Sequence, residues 1–144
     1  SNRARSSLAV RTFSSVARRF YKQKMEEFLN VKVRKVVNGN IVSVGFTRDG
    51  NKHLYADTFM RGRAIDKADL LKMPELLEGS EYVKSSPNEG NRAHMGNRNI
   101  TMFHYFKTRL HGNEVYLNVA ETSVVINETT TKRRFLYSVT KHIR

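Results

Sequence analysis

The last third of the chain contains three extended segments rich in aromatic and β-branched residues, separated by turn-forming or polar stretches. The segments are NITMFHYFKTRL at 99–110, NEVYLNVAET at 113–122 and RRFLYSVTKHIR at 133–144. His111-Gly112-Asn113 predicts a turn between the first two, and the Thr-rich residues 122–132 are expected to join the second to the third. Consecutive strands with local connections predict an antiparallel sheet.

The first half predicts helices and a hairpin. Apolar residues follow helical spacing from Ser14 or Ser15 onward: Val16, Phe20, Met25, Phe28 and Leu29. Asn38-Gly39, between two apolar runs, predicts a hairpin of strands over about residues 31–46. The run Asp49-Gly50-Asn51 predicts a turn into a further strand that begins at Lys52.

A second helical region is predicted from Asp66, with Asp69 three residues later as in a capping box, and Pro74 is expected to divide it. Its predicted buried stripe is leucine-rich: Leu70, Leu71, Leu76 and Leu77. Acidic residues in and after this region are read as a solvated helix face: Asp66, Asp69, Glu75, Glu78 and Glu81. Residues 85–99 contain few apolar residues and predict a long surface loop.

These elements predict an α+β fold in which N-terminal helices pack on one face of a twisted antiparallel sheet and the other face meets solvent. The length of 144 residues predicts a single domain, with residues 1–13 as a flexible basic leader. No segment approaches the length of a membrane span.

The chain carries 26 Lys and Arg against 13 Asp and Glu, a net charge of +13. Such an excess favours a polyanionic partner. Without cysteine there is neither a disulfide framework nor a thiolate metal site. HExxH and CxxC motifs and phosphate-binding glycine loops do not occur, so neither a metal nor a cofactor is expected. DNA specificity is not expected either, since no segment has a helix-turn-helix pattern.

Imidazole is the commonest general acid or base in proteins, so the histidines are the first candidates for chemistry. His53 follows Lys52 at the predicted start of a strand, and together they offer a proton acceptor beside a cation. His104 shares a strand face with apolar residues such as Phe106, so it is equally well explained as a core histidine.

Alternation along the last strand divides its residues between two faces. Leu136, Ser138, Thr140 and His142 share one face, which is polar enough to be the open one. Phe135, Tyr137 and Val139 share the other face and look like core. The hydroxyls of Ser138 and Thr140 are suited to binding a phosphate.

Several short motifs together resemble the barnase–EndoU–colicin–RelE superfamily of RNases, over about residues 31–142. They are KHLYADTF at 52–59, a leucine-rich helix at 66–77, EYVKS at 81–85, FHYFK at 103–107, YLNVA at 116–120 and FLYSVT at 135–140. The chain looks most similar to the phage-associated and polymorphic-toxin branches, including toxins of contact-dependent growth inhibition.

The resemblance implies a metal-independent endoribonuclease toxin, often a tRNase, that forms a 2′,3′-cyclic phosphate. It also implies a cognate acidic immunity protein. The domain would be the C-terminal part of a larger secreted, cell-surface or virion protein and would act in the cytoplasm of a target cell. The alternative is a non-catalytic RNA-binding module in which Phe103 and Tyr105 stack on bases.

Carried onto this chain, the resemblance implies one set of residues for catalysis and another for RNA binding. The catalytic set is His53, Lys52, Thr140, His104 and Tyr137. The RNA-binding set is Lys107, Ser138, Arg63, Lys84, Arg109 and Tyr105.

Overall fold

A computed structural model describes residues 15–88 and 99–143 of the chain. Residues 15–26 form helix α1, and a 3-10 helix follows at Glu27–Asn30. The remaining elements are β1 (Val33–Val37), β2 (Asn40–Val44), α2 (Arg48–Asp57), a 3-10 helix (Lys67–Lys72), α3 (Met73–Glu78), β3 (Glu81–Pro87), β4 (Ile100–Leu110), β5 (Asn113–Ile126) and β6 (Thr129–Thr140). The predicted leader at 1–13 lies outside the described residues.

The strands form a four-stranded antiparallel sheet in the order β3-β4-β5-β6 and a separate two-stranded hairpin of β1 and β2. This confirms the predicted α+β class. The predicted turns at Asn38-Gly39 and His111-Gly112 are both present, with positive φ at all four residues. Two consecutive residues with positive φ match the right-handed twist of the strands that they join.

Two predicted connections are wrong in extent. Residues 122–132 are mostly strand, because β5 and β6 continue to a tight turn at Asn127-Glu128, where φ is 50° and 64°. Their threonines are β-branched, which favours extended structure. The predicted loop at 85–99 begins as strand, since Ser85, Ser86 and Pro87 pair with β4. Residues 89–98 of that loop lie outside the described residues.

The hairpin, α2 and α3 pack on one face of the large sheet, which we call the core face. Sheet residues Phe106, Leu117 and Leu136 are fully buried there against other elements. The residues contributed from outside the sheet include Val44, Leu54, Ile65, Leu70, Met73 and Leu77. Leu71 of the predicted leucine stripe is exposed, as are Val16 and Phe20 of α1, so helical spacing alone overstated their burial.

The buried side chain of Lys35 connects β1 to the end of α3. Its Nζ donates to the carbonyl oxygens of Glu78 at 3.1 Å and Ser80 at 2.6 Å. These bonds satisfy acceptors that the end of a helix leaves open. Burial lowers the pKa of Lys35, and the nearby charge of Glu78 only partly opposes this.

The predicted capping box at Asp66 is present: the Asp69 carboxylate accepts from the Asp66 backbone N–H at 2.7 Å. Pro74 lies in the first turn of α3, where the missing N–H costs nothing, so the predicted division is confirmed. Asp69, however, is 1% exposed and does not belong to a solvated face. Glu81 lies on β3 rather than on a helix.

A β-bulge in β6 overturns the predicted faces of that strand. Asn118 pairs with Ser138, but the next residue, Val119, pairs with Leu136, so Tyr137 is an extra residue. An extra residue reverses the alternation on one side of it. Leu136 therefore lies on the core face with Val139, whereas Tyr137 clusters with Phe135 on the opposite face. We call that opposite surface the open face.

Residues 48–57 form helix α2, so the predicted turn at Asp49-Gly50-Asn51 and the strand after it are wrong. The Thr47 hydroxyl caps the helix by accepting from the Gly50 N–H at 3.0 Å. Gly50 also allows α2 to approach β6 closely, because a Cβ at this position would lie 2.3 Å from the Leu136 carbonyl oxygen. Cap and tertiary packing thus outweigh the turn propensity of glycine and asparagine.

We expect Gly50→Ala to destabilise the fold by roughly 1–3 kcal/mol, the usual cost of overpacking. Alanine is the better helix former by about 1 kcal/mol, so a loss cannot come from propensity. Gly79→Ala is the matched control, since its Cβ would be 3.6 Å from the nearest atom. Urea unfolding measures both variants. Equal stability of Gly50→Ala and wild type would contradict the close contact between α2 and β6.

Candidate active-site cleft

The open face of the sheet carries a cleft of about 550 Å³ beside helix α2. Residues of α2, all four sheet strands or their ends, and the C-terminal segment line it: His53, Asp57, Ser86, Pro87, Asn88, Phe103, Tyr105, Asn118, Tyr137, Ser138, Thr140, His142 and Ile143. Three of the predicted catalytic residues, His53, Tyr137 and Thr140, therefore meet here. Two of the predicted binding residues, Ser138 and Tyr105, join them.

His53 projects from α2 and its ring stacks on Tyr137, with ring centroids 4.1 Å apart and planes at 26°. One helical turn later, Asp57 places Oδ1 3.6 Å from His53 Nδ1. Nδ1 is buried and has no hydrogen-bond partner among the described residues. The His53 side chain is nevertheless 37% exposed, so the other part of the ring is open to the cleft.

Asp57 is held by the neighbouring strand as well. Its Oδ2 accepts from the Val139 N–H at 3.4 Å, and its side chain is 19% exposed. The bulge at Tyr137 lies two residues before Val139 in β6. The same irregular segment therefore supports the His53 ring and orients the Asp57 carboxylate.

A row of neutral polar groups lies beside the His53 ring. Asn118 Nδ2 donates to Ser138 Oγ at 2.7 Å and to Thr140 Oγ1 at 3.4 Å. Thr140 Oγ1 in turn donates to the carbonyl oxygen of His142 at 2.8 Å. Asn118 is 9% exposed, and within residues 15–88 and 99–143 its Oδ1 has no hydrogen-bond partner. A buried acceptor of this kind normally has a donor, so a ligand that offers an N–H or O–H would complete it.

The other predicted residues do not line the cleft. Lys52 lies on a different side of α2, because successive helical residues are turned by about 100°. Arg63 pairs with Asp66 at 2.9 Å outside the cleft, and Arg109 donates to the Gly112 carbonyl in the turn after β4.

Two predicted lysines lie on the open face at the edge of the cleft. Lys84 is the cross-strand partner of Tyr105, and Lys107 follows Tyr105 by two residues, so all three point to the same side. Lys107 is also 3.8 Å from Glu81.

Asp57 and Asn118 are the two cleft residues with a proposed role next to His53 that sequence patterns missed. Asp57 follows His53 by four residues, which is the spacing of neighbours on one face of a helix, and that spacing was the available signal. Asn118 interrupts an apolar strand between Leu117 and Val119, and that interruption was the available signal.

One group of side chains has the arrangement of potential metal ligands, away from the cleft. Ligand atoms of Asp66, Asp69 and His111 lie within 4.8 Å of one another. Hydrogen bonds already engage these atoms: His111 Nε2 lies 3.0 Å from both Asp69 oxygens, and Asp66 Oδ1 accepts from Arg63. The group ties the turn after β4 to the start of a 3-10 helix, a structural role that needs no ion.

Residues 17–137 match the family model described as large polyvalent protein-associated domain 3. The chain belongs to this family. A domain of this family is, by its description, associated with large polyvalent proteins. Searches among curated proteins and among solved structures found no significant match. No helix within the described ranges is long and apolar enough to cross a membrane.

His104 lies on the core face of this domain and forms part of a buried polar chain. Its Nε2 is 3.0 Å from Glu121 Oε1, and its Nδ1 is 2.5 Å from Ser85 Oγ. Tyr82 continues the chain, with its hydroxyl 2.5 Å from Ser85 Oγ. Because an ionised carboxylate only accepts, Nε2 donates to Glu121, while Nδ1 shares a hydrogen bond with the Ser85 hydroxyl. The chain connects β3, β4 and β5 across the core face, away from the cleft.

Glu121 is shared between His104 and Arg134, whose Nε donates to the same Oε1 at 2.8 Å. Burial acts to raise the pKa of Glu121, but the hydrogen bond from His104 and the charge of Arg134 outweigh it. The pKa consequently lies below its ordinary value of 4.5. A carboxylate with a depressed pKa stabilises the fold in its ionised form.

We expect Glu121→Gln to unfold at lower urea concentration than wild type at pH 7. The stability that ionised Glu121 contributes is fully present above about pH 4.5 and is lost as the pH falls through its lower folded-state pKa. The difference between the two proteins should therefore shrink in that acid range. Glu114→Gln, an exposed position on the same strand, is the control. A difference that does not change with pH would contradict the ionised network.

Proposed function

We propose that this domain is a metal-independent endoribonuclease that cleaves RNA through a 2′,3′-cyclic phosphate, with tRNA as its substrate. One observation carries the proposal: His53 lies over Tyr137, backed by Asp57 and beside the Asn118–Ser138–Thr140 row, in a single cleft. A histidine base next to several neutral hydrogen-bonding groups supplies what this reaction requires.

In this mechanism His53 Nε2 takes the proton of the ribose 2′-OH. The 2′-oxygen then attacks phosphorus, the bond from phosphorus to the 5′-oxygen breaks, and the departing oxygen takes up a proton. Asp57 holds the Nδ1–H side of the imidazole and stabilises the imidazolium as it forms. The distance of 3.6 Å is long for a hydrogen bond, but such contacts often tighten only when substrate is bound.

The polar row binds the reacting phosphate and ribose. The Ser138 hydroxyl accepts from Asn118 and keeps its own proton to donate to a phosphate oxygen, whereas Thr140 already donates to the His142 carbonyl oxygen. Buried Asn118 Oδ1 is available to accept from a ribose hydroxyl or a base N–H. We assign protonation of the leaving oxygen to His142, which lies in the same cleft and is exposed. No arginine or lysine in the described ranges lines the cleft itself. Lys84 and Lys107 lie on the same face of the sheet, next to Tyr105, and supply cations there.

The wider setting is also a proposal. Association with large polyvalent proteins supports a module that acts within a larger protein, and we propose that this module is a toxin delivered to a target cell. A net charge of +13 fits both an RNA substrate and an acidic immunity protein that blocks it.

The alternative of a non-catalytic RNA-binding module relied on Phe103 and Tyr105 as stacking surfaces. Both residues are buried in the aromatic cluster of the open face, with Phe135 and Tyr137. The cleft floor therefore offers them little freedom to stack on a base. Tight, salt-sensitive binding that leaves RNA intact after long incubation would nevertheless favour this alternative.

We expect the purified domain to cut tRNA in the presence of EDTA, and His53→Ala to lower the rate by about 10²–10⁴-fold, the usual contribution of a general base. Denaturing gels measure the rate, and mass analysis of the fragments detects the cyclic phosphate. Lys72→Ala is the control, because Lys72 is exposed and lies outside the cleft. Complete inhibition by EDTA, or an unchanged cleavage rate in His53→Ala, would contradict the mechanism.

Asp57→Asn should lower kcat and leave KM for RNA unchanged, because Asp57 acts through His53 and does not touch the substrate. The decrease in kcat should be smaller for Asp57→Asn than for His53→Ala. Asp49→Asn is the control: it removes an acid from the first turn of the same helix, outside the cleft. An increase in KM with unchanged kcat would assign Asp57 to substrate binding instead.

A further inference from the structure

A second concave surface lies on the other side of α2, facing α1. This groove measures about 540 Å³ and is lined by Arg18, Lys22, Met25, Glu26, Arg48, Asn51, Lys52, Tyr55, Ala56 and Phe59. Its floor is apolar and its rim is cationic. It contains Lys52, the cation that the sequence had paired with His53 in catalysis.

The cations of the groove are largely uncompensated. Arg48 contacts Glu26 at 3.4 Å. For Arg18, Lys22 and Lys52, in contrast, no carboxylate of residues 15–88 or 99–143 comes within ion-pair distance. All three are exposed. Like charges gathered on one surface repel one another, so the arrangement favours an anionic ligand.

The groove also presents an exposed aromatic residue. Phe59 is 60% exposed, and its ring contacts Tyr55 edge to face with ring centroids 5.2 Å apart. Lys67 places Nζ 4.3 Å from the centre of the Phe59 ring and adds a further cation. Proteins that bind single-stranded nucleic acid combine cations along the phosphate backbone with aromatic rings on which the bases stack.

We propose that this groove binds single-stranded RNA that flanks the cut site, with Arg18, Lys22 and Lys52 on phosphates and Phe59 stacked on a base. The inference rests on the proposed function, since it extends the substrate of the cleft. His53 and Lys52 are adjacent in sequence on α2, and a helix with its side chains is only about 10–12 Å wide. A strand leaving the cleft therefore reaches the groove by crossing α2.

Charge alone would also suit an acidic protein, but the exposed ring favours RNA. A carboxylate-rich surface gains little from contact with Phe59, whereas every base has a face that stacks on it. The cleft itself lacks lysine and arginine among its described lining residues, so a polyanionic substrate needs cations elsewhere. The groove provides them.

The test measures binding by His53→Ala protein, so that no probe is cut. A labelled oligouridylate is titrated at several salt concentrations. Lys22→Gln/Lys52→Gln should reduce the magnitude of the salt slope by about 1.4, because each phosphate contact on a single strand contributes about 0.7. Lys72→Gln/Lys132→Gln, which removes the same charge from exposed positions outside the groove, is the control.

Phe59→Ala should weaken binding of the oligouridylate by roughly 5- to 150-fold, the range expected for loss of one stacked base. Ile41→Ala, at a residue that is also largely exposed, should leave the affinity unchanged. Equal effects of groove and control variants would overturn the inference, as would polyglutamate binding as tightly as the oligonucleotide. The binding test does not depend on cleavage. Absence of cleavage by the wild-type protein would therefore contradict the proposed function, whereas the oligouridylate titrations alone decide whether the groove binds RNA.

Discussion

The close contact between helix α2 and strand β6 determines where His53 and the cleft on the open face lie. Gly50 has no side chain to separate the helix from the Leu136 carbonyl, and Asp57 accepts a hydrogen bond from the backbone of Val139. Near the same place, Gly45 forms a bridge to Phe135 and extends the edge of the sheet. The helix is thereby held against the edge strand, and one of its sides is turned to the open face, where it presents His53.

The two faces of the large sheet use polar groups differently. The core face contains a buried chain of ionised and neutral groups, in which Glu121 lies between His104 and Arg134. Its groups are mutually satisfied, which is the condition under which buried charges are tolerated. The open face contains a partly satisfied row, in which Asn118 Oδ1 has no donor among the described residues. The proposed function uses this unsatisfied acceptor to bind substrate, whereas the network on the core face has only a structural role.

In the proposed function, helix α2 separates the catalytic cleft from the surface that binds the flanking RNA. Its side toward the sheet holds His53 and Asp57, while its side toward α1 holds Arg48 and Lys52. The described lining of the cleft contains no lysine or arginine, whereas the groove contains four cations, Arg18, Lys22, Arg48 and Lys52. If both proposals hold, a helix of this length also fixes the spacing between the scissile bond in the cleft and the flanking strand in the groove.

Local patterns in the sequence determined the fold class, the hairpin, the three long strands and the capped helix at Asp66. Each depends on interactions between residues close in the chain, such as the positive φ of Asn38 and Gly39 or the bond between Asp66 and Asp69. The sequence also selected five residues that line the cleft. Tertiary structure decided the helical state of residues 48–57 and the faces of β6. Helix α2 replaced a predicted strand because Gly50 packs against β6, and the bulge at Tyr137 reversed strand parity. Both depend on contacts between distant parts of the chain, which local spacing does not encode.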